Sequence, residues 1–275
     1  MSCDSAPFGS LPSRLGARRI TVAYRDRVVL DQLSLDIPDG AFTVIIGANG
    51  CGKSTLLRAL ARIVAPAGGS VLLDGAEIAG YHTKEVARRL GLLPQDSVVP
   101  DDITVFDLVS RGRYPHQEFL RRWSAADDRA VAEALAATGL GELADRFVDE
   151  LSGGQRQRAW ISLVLAQQTP LMLLDEPTRA LDIAHQIELL DLMGRLNRDH
   201  GRTLVAVLHD LNQAFRYADH LIAMRNGAIV AQGTPAELVS AAFIEQLFGL
   251  RSVVIDDPVS GRPLVIPVGE AHSGT

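Results

Sequence analysis

The stretch Gly47 to Thr55, GANGCGKST, holds the residue types needed to grip a phosphate. Gly47, Gly52, Lys53 and Ser54 stand at the spacing of a phosphate-binding loop. The apolar run Phe42 to Ile46 precedes them, and Leu56, Leu57, Leu60 and Ile63 follow at helical spacing, so the loop joins a strand to a helix. Gly47, Gly50 and Gly52 let the backbone turn its N–H groups onto phosphate oxygens, and the new helix adds the positive end of its dipole. Asn49, Cys51 and Thr55 complete the set expected to surround the phosphates. Lys53 is expected at the β and γ phosphates, and Ser54 offers a hydroxyl to Mg²⁺, which prefers oxygen ligands shared with water and nucleotide. The competing explanation is a glycine-rich turn that happens to carry a lysine, and the matching flanks argue against it.

A second piece of chemistry lies at Asp175-Glu176, behind the apolar run Leu171 to Leu174. Such a run reads as a strand buried on both faces, and ligands of parallel sheets sit at the strand carboxyl ends. Asp175 is assigned to the Mg²⁺ shell and Glu176 to general-base work on an attacking water. Two solvated carboxylates would be the default for an isolated Asp-Glu pair. A third piece, Leu151 to Arg158 (LSGGQRQR), opens a helix expected to run to Ala166. Ser152, Gly153, Gly154 and Gln155 there form a further anion site at a helix start. One chain then has two phosphate sites for one γ-phosphate. The economical resolution is two copies packed head to tail, each closing its Ser152 segment over the nucleotide held by the other.

These motifs, in this order, resemble the ATP-binding subunits of ABC transporters, over about Arg18 to Pro267. The resemblance implies an α/β fold: a P-loop NTPase core with a mostly parallel sheet, an antiparallel β lobe that holds adenine, and an inserted helical subdomain. It also places three residues with weak signals of their own. Tyr24 matches an aromatic ring stacked on adenine. Gln95 matches a glutamine that touches Mg²⁺ and the water, and His209 a histidine at the γ-phosphate. Ala48 stands where the family often has proline. Arg179 stands where it usually has a smaller or neutral residue, in a loop that crosses the family's dimer interface.

The elements that must position these residues are legible in outline. A chain of 275 residues with 47% hydrophobic content can bury a full α/β core and a subsidiary lobe. Strands are expected within Ile20 to Ile46 and Val71 to Asp74, helices through Ile103 to Ala166, and alternating strands and helices from Leu171 to Ala231. Ser124 to Asp127 and Thr234 to Glu237 read as helix caps, and Val253 to Val268 as a hairpin. The expected division is a disordered tail over 1–16, one ATP-binding domain over 17–268 with its helical subdomain at about 96–166, and a second tail over 269–275.

Net charge is -6, which argues against nucleic acid as a main partner. Cys3 and Cys51 are the sole cysteines, and a reducing cytosol fits them. No apolar run approaches the roughly 18 residues that span a bilayer. If the chain powers transport, the pore is another polypeptide, and the protein sits peripherally on the cytoplasmic face of the membrane. Arg111 to Gln117, Ala159 to Ile161 and Leu208 to Ala214 resemble ATPases that drive import of ferric siderophores, haem and cobalamin, with ferric siderophore the first choice. That resemblance implies permease subunits as partners, docked on Asp96 to Gln117 with Arg111 and Arg113 as its charges. A periplasmic or lipid-anchored substrate-binding protein would take part indirectly. The alternatives are an importer ATPase for haem or cobalamin, and a soluble ABC ATPase outside transport. A non-hydrolysing adaptor would be expected to lack Glu176 or His209.

Overall fold

The computed structural model describes residues 13–25, 27–95, 102–117 and 123–269. In chain order its strands are β1 (Leu15–Tyr24), β2 (Arg27–Ile37), β3 (Phe42–Gly47), β4 (Gly68–Leu73), β5 (Ala76–Glu77), β6 (Leu90–Leu93), β7 (Leu171–Asp175), β8 (Thr203–Val207), β9 (His220–Arg225), β10 (Ala228–Gly233), β11 (Ser252–Asp256) and β12 (Pro263–Pro267). The helices are α1 (Lys53–Leu60), α2 (Thr83–Arg89), α3 (Val105–Ser110), α4 (Ala125–Ala137), α5 (Gly153–Ala166), α6 (Ile183–His200), α7 (Leu211–Tyr217), α8 (Pro235–Leu238) and α9 (Ala241–Phe248).

The central sheet has the order β10-β9-β3-β8-β7-β6, with β10 antiparallel to β9 and every other pairing parallel. Its inner strands are apolar throughout because both faces are covered. Val44, Ile46, Met172, Leu174, Leu204 and Ala206 point into one core, which α5 and α6 close with Ile161, Val164, Leu190 and Met193. Their alternates Ile45, Leu171, Leu173, Val205 and Val207 point into the other, closed by Leu56, Leu57 and Leu60 of α1. The period of two along each strand thus splits one apolar sequence between two cores.

An antiparallel sheet, β2-β1-β4-β5, covers the α1 side. Here one face meets solvent, and β2 alternates accordingly: Leu33, Leu35 and Ile37 are buried while Gln32, Ser34 and Asp36 are exposed. The first strand begins at Leu15, which is fully buried and paired with Ile37 and Leu73. The expected tail over 1–16 is corrected there, because Leu15 and Gly16 already belong to the sheet; residues 1–12 lie outside the described residues, as do 270–275 of the second tail. The caps at Ser124 and Thr234 form as expected, each with reciprocal side-chain bonds to the third helical residue. The hairpin β11-β12 is pinned to α7 by Asn212, whose amide accepts from Val265 N and donates to Val265 O.

One expectation fails on packing grounds. Arg113, expected on a docking surface, is only 5% exposed. Its Nε donates to Asp127 Oδ1 at 2.9 Å, and Nη1 donates to Ala166 O at 2.7 Å and Gln168 Oε1 at 3.0 Å. Asp127 is also the third residue of the α4 cap. Burial pushes its carboxyl up, but the bonds from Ser124 and Arg113 outweigh that and hold it below the usual range. Arg113 therefore ties the turn over Arg111–His116 to α4 and to the end of α5, whereas Arg111 is exposed. Arg113→Ala should lower stability in urea by about 3 to 5 kcal/mol, the cost of leaving a buried carboxylate unpaired. Arg111→Ala should change it by less than about 0.5 kcal/mol, and equal effects of the two would contradict the buried-pair assignment.

Candidate functional site

Parallel pairing in register brings four strand ends to one edge. Gly47 ends β3 and Asp175 ends β7; Gln95 follows β6 by two residues, and His209 follows β8 by two. Asp175 pairs with Val207, and Ile45 pairs with Val207 from the other side, so the ends are level. A cavity of about 550 Å³ opens at this edge. Its lining contains Asn49, Gly50, Gly52, Lys53, Ser54 and Thr55 on one side, with Gln95, Glu176, Arg179 and His209 following the other strands.

The loop over Gly47 to Gly52 is tight for identifiable reasons. Gly47 has φ +149°, and a Cβ there would fall 2.2 Å from Met224 O. Gly52 caps α1 at φ +105° with no side-chain bond to the helix, leaving the first N–H groups of α1 without a capping acceptor. Lys53 is buried, its ammonium donating to Gly47 O at 2.8 Å and Ala48 O at 3.1 Å.

Ser54 Oγ donates to Asp175 Oδ1 at 2.8 Å. Asp175 is buried, and its Oδ2 has no hydrogen-bond partner among the described residues. Burial raises its carboxyl above the usual range, against the lowering effect of the Ser54 hydroxyl. A buried carboxylate oxygen without a partner, beside a hydroxyl, suits a hard cation with oxygen ligands. Glu176 Oε1 lies 2.7 Å from His209 Nε2; the Glu176 side chain is 10% exposed and that of His209 51%. Glu176 adopts φ +54°, a conformation unfavourable for a side chain with a Cβ and typical of functional turns.

Several expected residues stand apart from the cavity. Ser152, Gly153, Gly154 and Gln155 start α5 as expected, with Ser152 Oγ accepting from Gln155 N at 3.2 Å and Gln155 Oε1 accepting from Ser152 N at 3.0 Å. None of the four lines the cavity of its own chain. Tyr24 ends β1, 44% exposed, and is also outside the lining. Cys51 turns its side chain into the core rather than toward the cavity. It is 5% exposed within the α1-side core, its Sγ packs beneath Gly47, and its N–H donates to Ala48 O at 3.3 Å. Sequence reasoning missed Val29 and Arg179 as lining residues. Val29 lies on the neighbouring sheet and gave no signal, while Arg179 stood out only by being unlike the family.

A parallel α/β sheet with a glycine loop and a lysine at one strand end, and carboxylates at the end of the strand two places along, defines a P-loop nucleotide-hydrolysing protein. Residues 30–179 match the family model described as ABC transporter, and the chain belongs to that family. It is 59% identical over 96% of its length to the ferric enterobactin transport ATP-binding protein FepC of Escherichia coli K12, of which 97% is covered. It is 50% identical to the petrobactin import ATP-binding protein FpuD of Bacillus anthracis, with 94% of each chain covered. Among solved structures, a bacterial ABC transporter cassette determined as a dimer superposes with a TM-score of 0.73 at 26% identity, covering 80% of this chain and 98% of the other. Among the described residues no helix is long and apolar enough to cross a membrane.

The placement of Cys51 makes a direct prediction. In a Cys3→Ser variant, a thiol reagent should label native Cys51 on the order of a hundredfold more slowly than the denatured chain, because labelling waits on local opening. The slow rate should persist without nucleotide. Fast labelling of the nucleotide-free protein would place the thiol on the loop's phosphate side instead.

Proposed function

We propose that this chain is the ATP-hydrolysing subunit of an importer that takes up a ferric siderophore through a separate permease. The observation that carries the catalytic part is Glu176 paired with His209 across one cavity from Lys53 and the glycine loop. The substrate rests on relatives named for ferric enterobactin and petrobactin import that match almost the whole chain. A location on the cytoplasmic face of the membrane follows from work with a permease. The same reading allots the chain from Leu15, where β1 begins, through 268 to the ATP-binding domain, with about 96–166 as its helical subdomain.

On this reading Gly47 to Thr55 holds the phosphates by backbone N–H groups and the Lys53 ammonium, which exchanges the carbonyls of Gly47 and Ala48 for phosphate oxygens. Ser54, Asp175 and Gln95 would hold Mg²⁺, which neutralises phosphate charge. Glu176 accepts a proton from water as the water oxygen bonds to the γ-phosphorus. The bond to the bridging β–γ oxygen breaks, leaving ADP and phosphate. His209 orients Glu176 and meets the γ-phosphate, while Tyr24 stacks on adenine. Exposure of Ser152 and Gly153 at the start of α5 supports a role on the nucleotide of a second copy packed head to tail, and a cassette of similar fold has been determined as a dimer.

Glu176→Gln should lower phosphate release by about 10² to 10⁴ while ATP still binds. With MgATP it should form a dimer that MgADP does not support, since a ligand bound between two copies stabilises their association. Ser152→Arg should block that dimer and leave ATP binding nearly normal. Mixing Ser152→Arg with Lys53→Ala chains should restore activity, because one composite site of the mixed dimer carries neither change. Near-normal turnover of Glu176→Gln removes the base assignment, and loss of ATP binding in folded Ser152→Arg removes the shared site.

A further inference from the structure

Arg179 is the lining residue to which phosphate-loop chemistry gives no task. It follows β7 in a turn where its N–H donates to Glu176 O at 3.1 Å, so it is fixed to the residue held at φ +54°. The cavity has two sides of different charge. On the loop side Lys53 is the cation, lying against the carbonyls of Gly47 and Ala48. On the strand-end side stand Gln95, His209, the Glu176 carboxylate and Arg179, which is the permanent cation among the described residues there. A terminal phosphate must sit close enough to Glu176 for a water between them to attack its phosphorus, and two anions at that distance repel. A guanidinium three residues along the same turn offsets this, and its planar fork suits phosphate oxygens.

We propose that Arg179 contacts the terminal phosphate of the nucleotide held by its own chain and so favours ATP over ADP. The inference rests on the ATPase reading above. Lys53 keeps the β-phosphate as a partner in both nucleotides, whereas a contact from the strand-end side reaches only the phosphate that ADP lacks. Arg179 thereby makes nucleotide state legible within one subunit, before any second copy closes on it.

The test measures binding of an imido-bridged ATP analogue and of ADP, each with Mg²⁺, to full-length chain carrying Ser152→Arg so that dimer closure adds nothing. Arg179→Ser in that background should weaken the ATP analogue about tenfold, the lower end for a hydrogen bond to a charged group. ADP affinity should change less than about twofold. Arg179→Lys should recover part of the loss by keeping the charge without the fork. An unchanged ratio of the two affinities in Arg179→Ser would overturn the contact. So would equal weakening of both nucleotides, which would mean that Arg179 only shapes the turn. Failure of the unsubstituted chain to bind either nucleotide would instead overturn the ATPase reading itself.

Discussion

Everything at the site depends on parallel strands pairing in register. β3, β8, β7 and β6 lie side by side with Ile45 level with Val207, Val207 with Asp175, and Leu174 with Leu93. Because all four run the same way, the residues that leave them emerge at one edge. A slip of one residue along β7 would turn Asp175 to the opposite face and separate it from Ser54. The apolar alternation that divides each strand between two cores is what forbids the slip, since every buried Leu and Val would change sides together.

Some of the chain's local strain falls where that edge does chemistry. Gly47 presses against the Met224 carbonyl so closely that no side chain fits, and Glu176 holds an unfavourable φ at the end of its strand. Beside them Asp175 keeps a buried oxygen without a partner. Each of these costs folding free energy in the absence of ligand, and the two cores and the sheet around them supply it. On the proposed reading, phosphate and Mg²⁺ relieve part of that cost on binding.

The Ser152 segment is a different kind of incompleteness. Its helix is well capped by its own side chains, so the N-terminus is formed without a ligand, yet none of its first residues lines the cavity of its own chain. On the proposed reading this helix start serves the nucleotide of a second copy, which accounts for why such a chain would act in pairs. The buried Arg113–Asp127 pair, in turn, keeps the turn over Arg111–His116 fastened to α4 and α5.

Residues adjacent in sequence and bound by local backbone geometry were legible without the fold. The glycine loop, the caps at Ser124, Ser152 and Thr234, the all-apolar strand before Asp175 and the hairpin around Asp257 to Gly261 all depend on spacing alone. What the sequence could not settle was which way a side chain faces once several elements converge. Cys51 sits between two glycines of the cavity lining yet points its side chain into the core, because the tight turn that brings Gly50 and Gly52 to the cavity sends that side chain inward. Arg113 carries a charge and an exposed neighbour, and only packing against α4 and α5 shows it to be buried. Arg179 and Val29 join the cavity from separate elements, through contacts that tertiary structure alone creates.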